Sequence, residues 1–348
     1  MLAAVPTPDH TTLTRYGWDD AWAALVPGSA DGAAPGRVAR VDRGRVDVLT
    51  ADDRVHADPR GHALAVGDWV LVGDGTVTAV LPRRTALVRA TVSGRSDAQV
   101  LAANVDTVLV TVPLDTGLRT GRVERLLALA WESGATPVVV LTKIDRDGEA
   151  LVDALGDLAV AAPGVDVVPV SAVTGDGLAE VAAAARGTTV LVGPSGAGKS
   201  TLANALLGAE TMATGAVRAV DGKGRHTTVH RELLPLPGGG VLVDTPGLRA
   251  VGVRDAAEGI DRAFADVVEL AEACRFADCA HDREPGCAVQ DAVGGGTLPA
   301  RRLEAYRKLV REDEWAAART DARLAAERRG RWKQVTKDQR AAYRARGR

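Results

Sequence analysis

Gly193-Pro194-Ser195-Gly196-Ala197-Gly198-Lys199-Ser200 is the stretch on which the fold of this chain turns. It follows the apolar run Thr189 to Val192 and leads into a helix-like stretch from Thr201 to Leu207. The string reads GxxxxGK[ST], and strand, glycine-rich turn and helix start in that order make a phosphate loop. Its glycines let backbone N–H groups curl around a polyphosphate, and the helix N-terminus adds the positive end of its dipole. In such a loop Lys199 reaches the β- and γ-phosphates and Ser200 holds Mg2+, with Thr201 completing the cradle.

Working outward, three further segments stand at predicted strand ends. Asp244-Thr245-Pro246-Gly247 follows Val241-Leu242-Val243. There Asp244 contacts Mg2+ through water, and the Gly247 N–H faces the γ-phosphate. Thr142-Lys143-Ile144-Asp145 follows the strand Val138 to Leu141. A carboxylate in this position accepts from the N1–H and the 2-amino group of guanine, a demand adenine does not meet. Ser171-Ala172 ends another strand and offers a backbone N–H to guanine O6. Together they favour GTP over ATP. The base-reading elements precede the phosphate loop and Asp244 to Gly247 comes last, so the order is that of a circularly permuted GTPase. Between loop and Asp244 lies Gly222-Lys223-Gly224-Arg225-His226-Thr227-Thr228. Thr227 or Thr228 supplies the second hydroxyl to Mg2+, with Thr228 preferred.

Strands and helices alternate from Val105 to Val192: strands at Val105 to Val112, Pro137 to Leu141, Val167 to Val170 and Thr189 to Val192, helices at Arg122 to Ser133, from Gly148 and from Leu178. That rhythm predicts a parallel sheet covered by helices on both faces. Upstream, short alternating runs such as Arg45-Val46-Asp47-Val48-Leu49 and Thr76-Val77-Thr78-Ala79-Val80 are punctuated by Gly44, Gly61, Gly67 and Gly75. They predict a small antiparallel barrel of the OB type. Arg254 to Ala273 and Pro299 onward read as charged helices. The chain thus divides into a flexible arm (1–34), an RNA-binding OB-fold (35–90), a permuted P-loop GTPase (100–252) and a helical zinc-binding region with a basic tail (253–348).

Composition is that of an ordinary globular protein, 46% apolar and 25% charged over 348 residues. No apolar run approaches the roughly 20 residues of a membrane span, and Met1 to His10 carries no signal-peptide pattern, which places the protein in the cytoplasm. Net charge is only −2, yet Arg319 to Arg348 holds eleven Lys/Arg against three Asp/Glu. Such a tail attracts polyphosphate. All three cysteines fall in Cys274-x4-Cys279-x-His281-x5-Cys287. Three thiolates and one imidazole suit a closed, structural zinc site.

Taken together, these motifs resemble the RsgA (YjeQ/YloQ) family of ribosome small subunit-dependent GTPases over roughly residues 35 to 310. Ala102-Ala103-Asn104-Val105-Asp106, leading into the first GTPase strand, is also similar to the family's. The resemblance implies GTP hydrolysis stimulated by the small ribosomal subunit, binding to its rRNA near the decoding region, and a role in late maturation. The protein is expected to act as a monomer. A checkpoint module using GTP as a switch with little net catalysis is the alternative. Thr142 stands where many family members have Asn. Leu248 stands where a classical GTPase has its water-orienting Gln, and leucine cannot align a water. His226, beside the switch threonines, is the candidate for that task.

Overall fold

Parallel β-pairing organises the molecule, described here from a computed structural model for residues 11–27, 32–89, 99–209, 231–244 and 256–320. Two short N-terminal helices, α1 (Thr11–Thr14) and α2 (Asp20–Ala23), precede five strands. These are β1 (Ala34–Asp42), β2 (Arg45–Leu49), β3 (Arg54–Ala57), β4 (Trp69–Gly73) and β5 (Thr76–Val80). β1 pairs antiparallel with both β2 and β4, β2 with β3, and β4 with β5. A parallel bridge between Asp58 and Thr76 closes the ring. This five-stranded closure is the OB-type barrel, filled by Val38, Val46, Val48, Val70 and Val77. A hairpin of β6 (Ala86–Arg89) and β7 (Gln99–Ala103) leads out of it.

The second half of the architecture is built from β8 (Thr107–Pro113), α3 (Thr120–Glu132), β9 (Thr136–Thr142), α4 (Ala150–Ala161), β10 (Val167–Val170), α5 (Leu178–Ala184), β11 (Thr188–Val192), α6 (Lys199–Leu207), β12 (Glu232–Pro235) and β13 (Val241–Asp244). In space the strands run β10-β9-β8-β11-β13-β12, parallel except for β12. Because side chains alternate across a strand, β8 feeds two cores. Val108, Val110 and Val112 pack with Leu127 and Leu158 under α3 and α4. Leu109 packs with Val181 and Leu202 under α5 and α6. The pair Arg40–Glu232 joins the barrel edge to β12, so both sheets are continuous. Beyond β13 the described chain is helical: α7 (Ala257–Ala263), α8 (Ala265–Ala271), α9 (Ala288–Gly294) and α10 (Ala300–Thr320). Among the described residues no helix is long and apolar enough to cross a membrane.

Residues 11–27 depart from the loose arm expected over 1–34. Leu13, Tyr16, Trp18 and Trp22 are buried, and Trp18 meets Trp69 edge-on at 4.8 Å between ring centroids. Composition rich in Ala, Pro and Gly conceals this, because the anchoring partners lie some fifty residues downstream.

Two buried arginines pin the parts together. Arg37 of β1 donates to the carbonyls of Tyr16, Gly67 and Asn104 and to Thr188 Oγ1. Burial lowers its pKa to about 10, against the opposing pull of Asp106 and Asp68. Arg302 of α10 spends all five of its N–H donors: two on Asp266, two on the Ala263 and Ala161 carbonyls, and one on Glu124 Oε1 at 3.0 Å. Glu124 Oε2 stays buried without a hydrogen bond, and burial pushes the carboxyl's pKa up against the pull of Arg302. Removing Arg302 strands that carboxylate. Arg302→Met should cost about 3–5 kcal/mol in guanidinium unfolding. Adding Glu124→Gln should return part of the loss, since the neutral amide is cheaper to bury. Equal stability of wild type and Arg302→Met would show that this ion pair does not fasten α10.

Candidate nucleotide site and metal centre

The phosphate loop leaves the C-terminal end of β11, where strand order reverses between β8 and β11. Crevices of this kind, outside the carboxyl ends of a parallel sheet, are where α/β folds bind ligands. Gly193 has φ +150°, and a Cβ there would collide with the side chain and carbonyl of Thr111. That threonine also donates to Val192 O at 2.8 Å. The loop is thus pressed onto β8 by a contact that only glycine permits. Pro194, Ser195 and Gly196 form its outer turn, with Ser195 and Gly196 exposed. Ala197 is buried. Gly198 enters α6 in the left-handed region at φ +82°, and Lys199, Ser200 and Thr201 open the helix. Lys199 Nζ folds back onto the loop, donating to Gly193 O at 2.9 Å and Pro194 O at 2.7 Å.

The two segments expected to read the base emerge beside one another. β9 and β10 are paired in parallel up to Thr142–Val170, so Lys143 to Asp145 and Ser171-Ala172 leave the sheet from adjacent strand ends. Thr142 is buried, and its hydroxyl donates to Ala197 O at 2.8 Å, with Val112 O farther off at 3.3 Å. This ties the Thr142 to Asp145 segment to the phosphate loop. Lys143 sits at φ +64°, and its ammonium lies 2.8 Å from Asp115 Oδ2, which Arg146 also reaches at 2.8 Å. The Lys143 hydrogen bond, with Arg146 behind it, holds the Asp115 carboxyl below the usual carboxylate range. Asp145, between the two cations, is exposed and has no hydrogen-bond or ion-pair partner among the described residues. Nothing in the sequence singles out Asp115, since it lies some thirty residues from Lys143 and only the β8–β9 pairing brings the two together.

This geometry divides the expected Ser171-Ala172 pair. The Ser171 N–H is already donated to Asp176 O at 2.9 Å, and the Ser171 hydroxyl accepts from Val173 and Thr174. Ser171 therefore shapes the turn, and the N–H left for a ligand is that of Ala172. Asp244 is the last residue of β13, opposite Glu232. His226, Thr227, Thr228 and Gly247 lie outside the described residues.

The cysteine cluster is assembled as a second centre. Cys274 follows α8, Cys279 and His281 lie in the connecting loop, and Cys287 caps α9, its sulfur accepting from Gln290 N–H. Tetrahedral Zn2+, at about 2.3 Å from sulfur and about 2.0–2.1 Å from nitrogen, needs edges near 3.8 Å between sulfurs and near 3.6 Å from sulfur to nitrogen. Cys274 and Cys287 Sγ are 3.8 Å apart, and His281 Nδ1 is 3.6 and 3.5 Å from them. All four ligand atoms lie within 4.8 Å of one another. Burial also lowers the His281 pKa, favouring the neutral imidazole that ligation needs.

The sequence profile of the RsgA GTPase family matches residues 80–254. The small ribosomal subunit biogenesis GTPase RsgA of Streptomyces coelicolor is 56% identical, covering 96% of this chain and 95% of its own. The protein of the same name from Opitutus terrae is 43% identical over 97% of this chain and 99% of its own. Among solved structures, YjeQ from Thermotoga maritima aligns with TM-score 0.61 at 27% identity, covering 80% of this chain and 98% of its own. YloQ, described as a circularly permuted GTPase, gives TM-score 0.61 at 22% identity over 82% and 97%, a likeness of fold. With identity at this level along nearly the whole length, the chain belongs to the RsgA GTPase family.

Proposed function

We propose that this GTPase acts in late maturation of the small ribosomal subunit, in the cytoplasm and as a monomer, with hydrolysis stimulated by the subunit. The observation that carries the nucleotide reading is that Lys199, Asp145 and the Ala172 N–H all follow the carboxyl ends of parallel strands, β11, β9 and β10. The S. coelicolor relative's name supplies the partner.

In this reading the phosphates rest on the backbone N–H groups of Ser195 to Thr201, and Lys199 turns one donor from the loop carbonyls to the β- and γ-phosphates. Ser200, Thr228 and Asp244 would hold Mg2+, which would neutralise charge on the phosphate oxygens. Lys143 covers the base while Asp145 accepts from guanine N1–H and the 2-amino group. Asp115 fixes Lys143 and Arg146 on either side of Asp145, so the base reader is braced before the nucleotide arrives. Gly247 would meet the γ-phosphate, and His226 is our candidate to orient water in place of Leu248. The barrel and the basic stretch after Arg319 would contact rRNA. Cys274, Cys279, His281 and Cys287 would hold one structural zinc.

Phosphate release measured with and without purified small subunits tests the central statement. Turnover should rise steeply with subunits, and Lys199→Ala should reduce it to background. Asp145→Asn should lower the preference for GTP over xanthosine triphosphate by at least about tenfold, or about 1.4 kcal/mol. An unchanged preference would take the base-reading role away from this segment.

Thr142→Val keeps the shape and removes the hydroxyl, leaving Ala197 O without its partner at a buried position. Nucleotide affinity should fall about five- to tenfold, within the roughly 1–3 kcal/mol that an orphaned buried group costs. Thr142→Asn should retain wild-type affinity. Titration of a fluorescent GDP analogue reads both.

Metal analysis of freshly purified protein should find one zinc per chain. Chelation should unfold the segment around Cys274 to Cys287 before the sheet, because structural zinc contributes on the order of 10 kcal/mol to small domains. Hydrogen exchange that loosens everywhere at once on chelation would contradict a local site.

A further inference from the structure

Beside the phosphate loop lies a cavity of about 340 Å3. Its walls are the end of β8, the start of α3, and Pro194 to Gly196. Val112, Val123 and Leu126 make it apolar within, and Arg119 and Arg122 are exposed residues of its lining. Lys143, the third cation of the lining, is held by Asp115. Neither Arg119 nor Arg122 has an ion-pair partner or a side-chain hydrogen bond among the described residues. Their neighbours are engaged: Arg125 pairs with Glu312, and Arg301 donates to Thr120 and Glu124. Two guanidiniums without partners among the described residues therefore line the same cavity as the outer turn of the loop that would carry the phosphates.

We infer that Arg119 and Arg122 supply an arginine in cis to GTP hydrolysis, which rests on the GTPase reading above. With nucleotide bound, a guanidinium turns from the cavity across Ser195-Gly196 to the γ-phosphate and the leaving oxygen. Water attacks the γ-phosphorus, the bond to the β–γ bridging oxygen breaks, and GDP departs with that electron pair. The water's proton ends on inorganic phosphate. The arginine moves no proton, because it stays protonated; it stabilises charge spreading over the transferred group and the leaving oxygen. Leu248 makes such a cation more valuable, since the water is not aligned by a Gln. The same turn of α3 is gripped from the C-terminal region by Arg301 on Thr120 and by Arg301 and Arg302 on Glu124. Subunit docking on that region thus has a direct route to the arginine-bearing turn.

The test uses the full-length protein with Arg119→Ala, Arg122→Ala, the double alanine variant and the double lysine variant. At saturating GTP and small subunits, the double alanine variant should lose roughly 10³-fold in turnover, the lower end for an arginine finger. GTP affinity and subunit affinity should stay within about twofold of wild type, as for an interaction made only in the transition state. The lysine variant should recover little, and added guanidinium ion should restore part of the alanine variant's rate. Wild type should trap GDP with aluminium fluoride on the subunit, and the double alanine variant should not. Stimulated turnover within about threefold of wild type would overturn the proposal. So would a loss abolished by raising subunit concentration, which would make these arginines RNA contacts, or a loss confined to GTP affinity. If subunits fail to stimulate even wild type, the ribosomal reading falls, and basal turnover of the same variants decides the arginine role alone.

Discussion

Strand β11 is hydrogen-bonded in parallel on both sides, to β8 from Thr189 to Val192 and to β13 from Thr188 to Val190, with every residue buried. The phosphate loop begins at the next residue, so its position is set by the two neighbouring strands rather than by the loop. Gly193 against Thr111 transmits that placement without slack. A parallel sheet constrains which strands are neighbours and leaves the order of their connections open. That is why the segments expected to read the base can precede the phosphate loop in sequence and still emerge near it, from β9 and β10 beyond β8.

The permutation matters most where the chain leaves β13, because it runs from there into the helical C-terminal region. α3 is the element that meets both sides. Its start borders the phosphate loop, its Glu124 receives Arg302, and Gly259 of α7 packs so closely on it that a Cβ would strike the Ala128 carbonyl and the Glu132 amide. Glu132 also accepts from the Gly259 N–H at 2.9 Å. Arg37 plays the corresponding part between the N-terminal segment, the barrel and β11. Neither buried cation is an inexpensive source of stability, since desolvation opposes the ion pairing. What each supplies is geometry: a fork of fixed donors that is satisfied in one arrangement of several elements.

Elements whose signal is local are legible in the sequence. The β-branched runs at β8 to β11, the glycine pattern of the phosphate loop, the Thr142 to Asp145 segment and the Cys/His spacing all carry their chemistry within a few residues. The parts that escape depend on partners far along the chain. β3 is too short and polar to announce itself, and β12 is a strand because β13 and β1 flank it. The β6–β7 hairpin gives no clear signal either. A helix read through Arg254 to Ala273 breaks at Phe264, which is buried against Tyr306 and stacks under Arg302. Trp18 and Trp22 stand out as anchors, but their partner, Trp69, cannot be read from their own surroundings.

Thr142 shows how far a residue-type rule reaches before geometry must take over. Judged as a replacement for asparagine, a hydroxyl lacks a second donor and looks like a weaker base-reading element. In the folded chain its one proton goes to Ala197 O, and the second nearby acceptor, Val112 O, is 3.3 Å from the same oxygen. Hydroxyls have a single O–H, so only the shorter contact is a full hydrogen bond. The link between phosphate loop and base-reading segment is therefore kept, and what the exchange removes is one further donor toward the end of β8. The same strand end is braced by Asp115 through Lys143 and Arg146. Rigidity that an amide would provide from within the motif comes here from a carboxylate outside it, across the β8–β9 pairing.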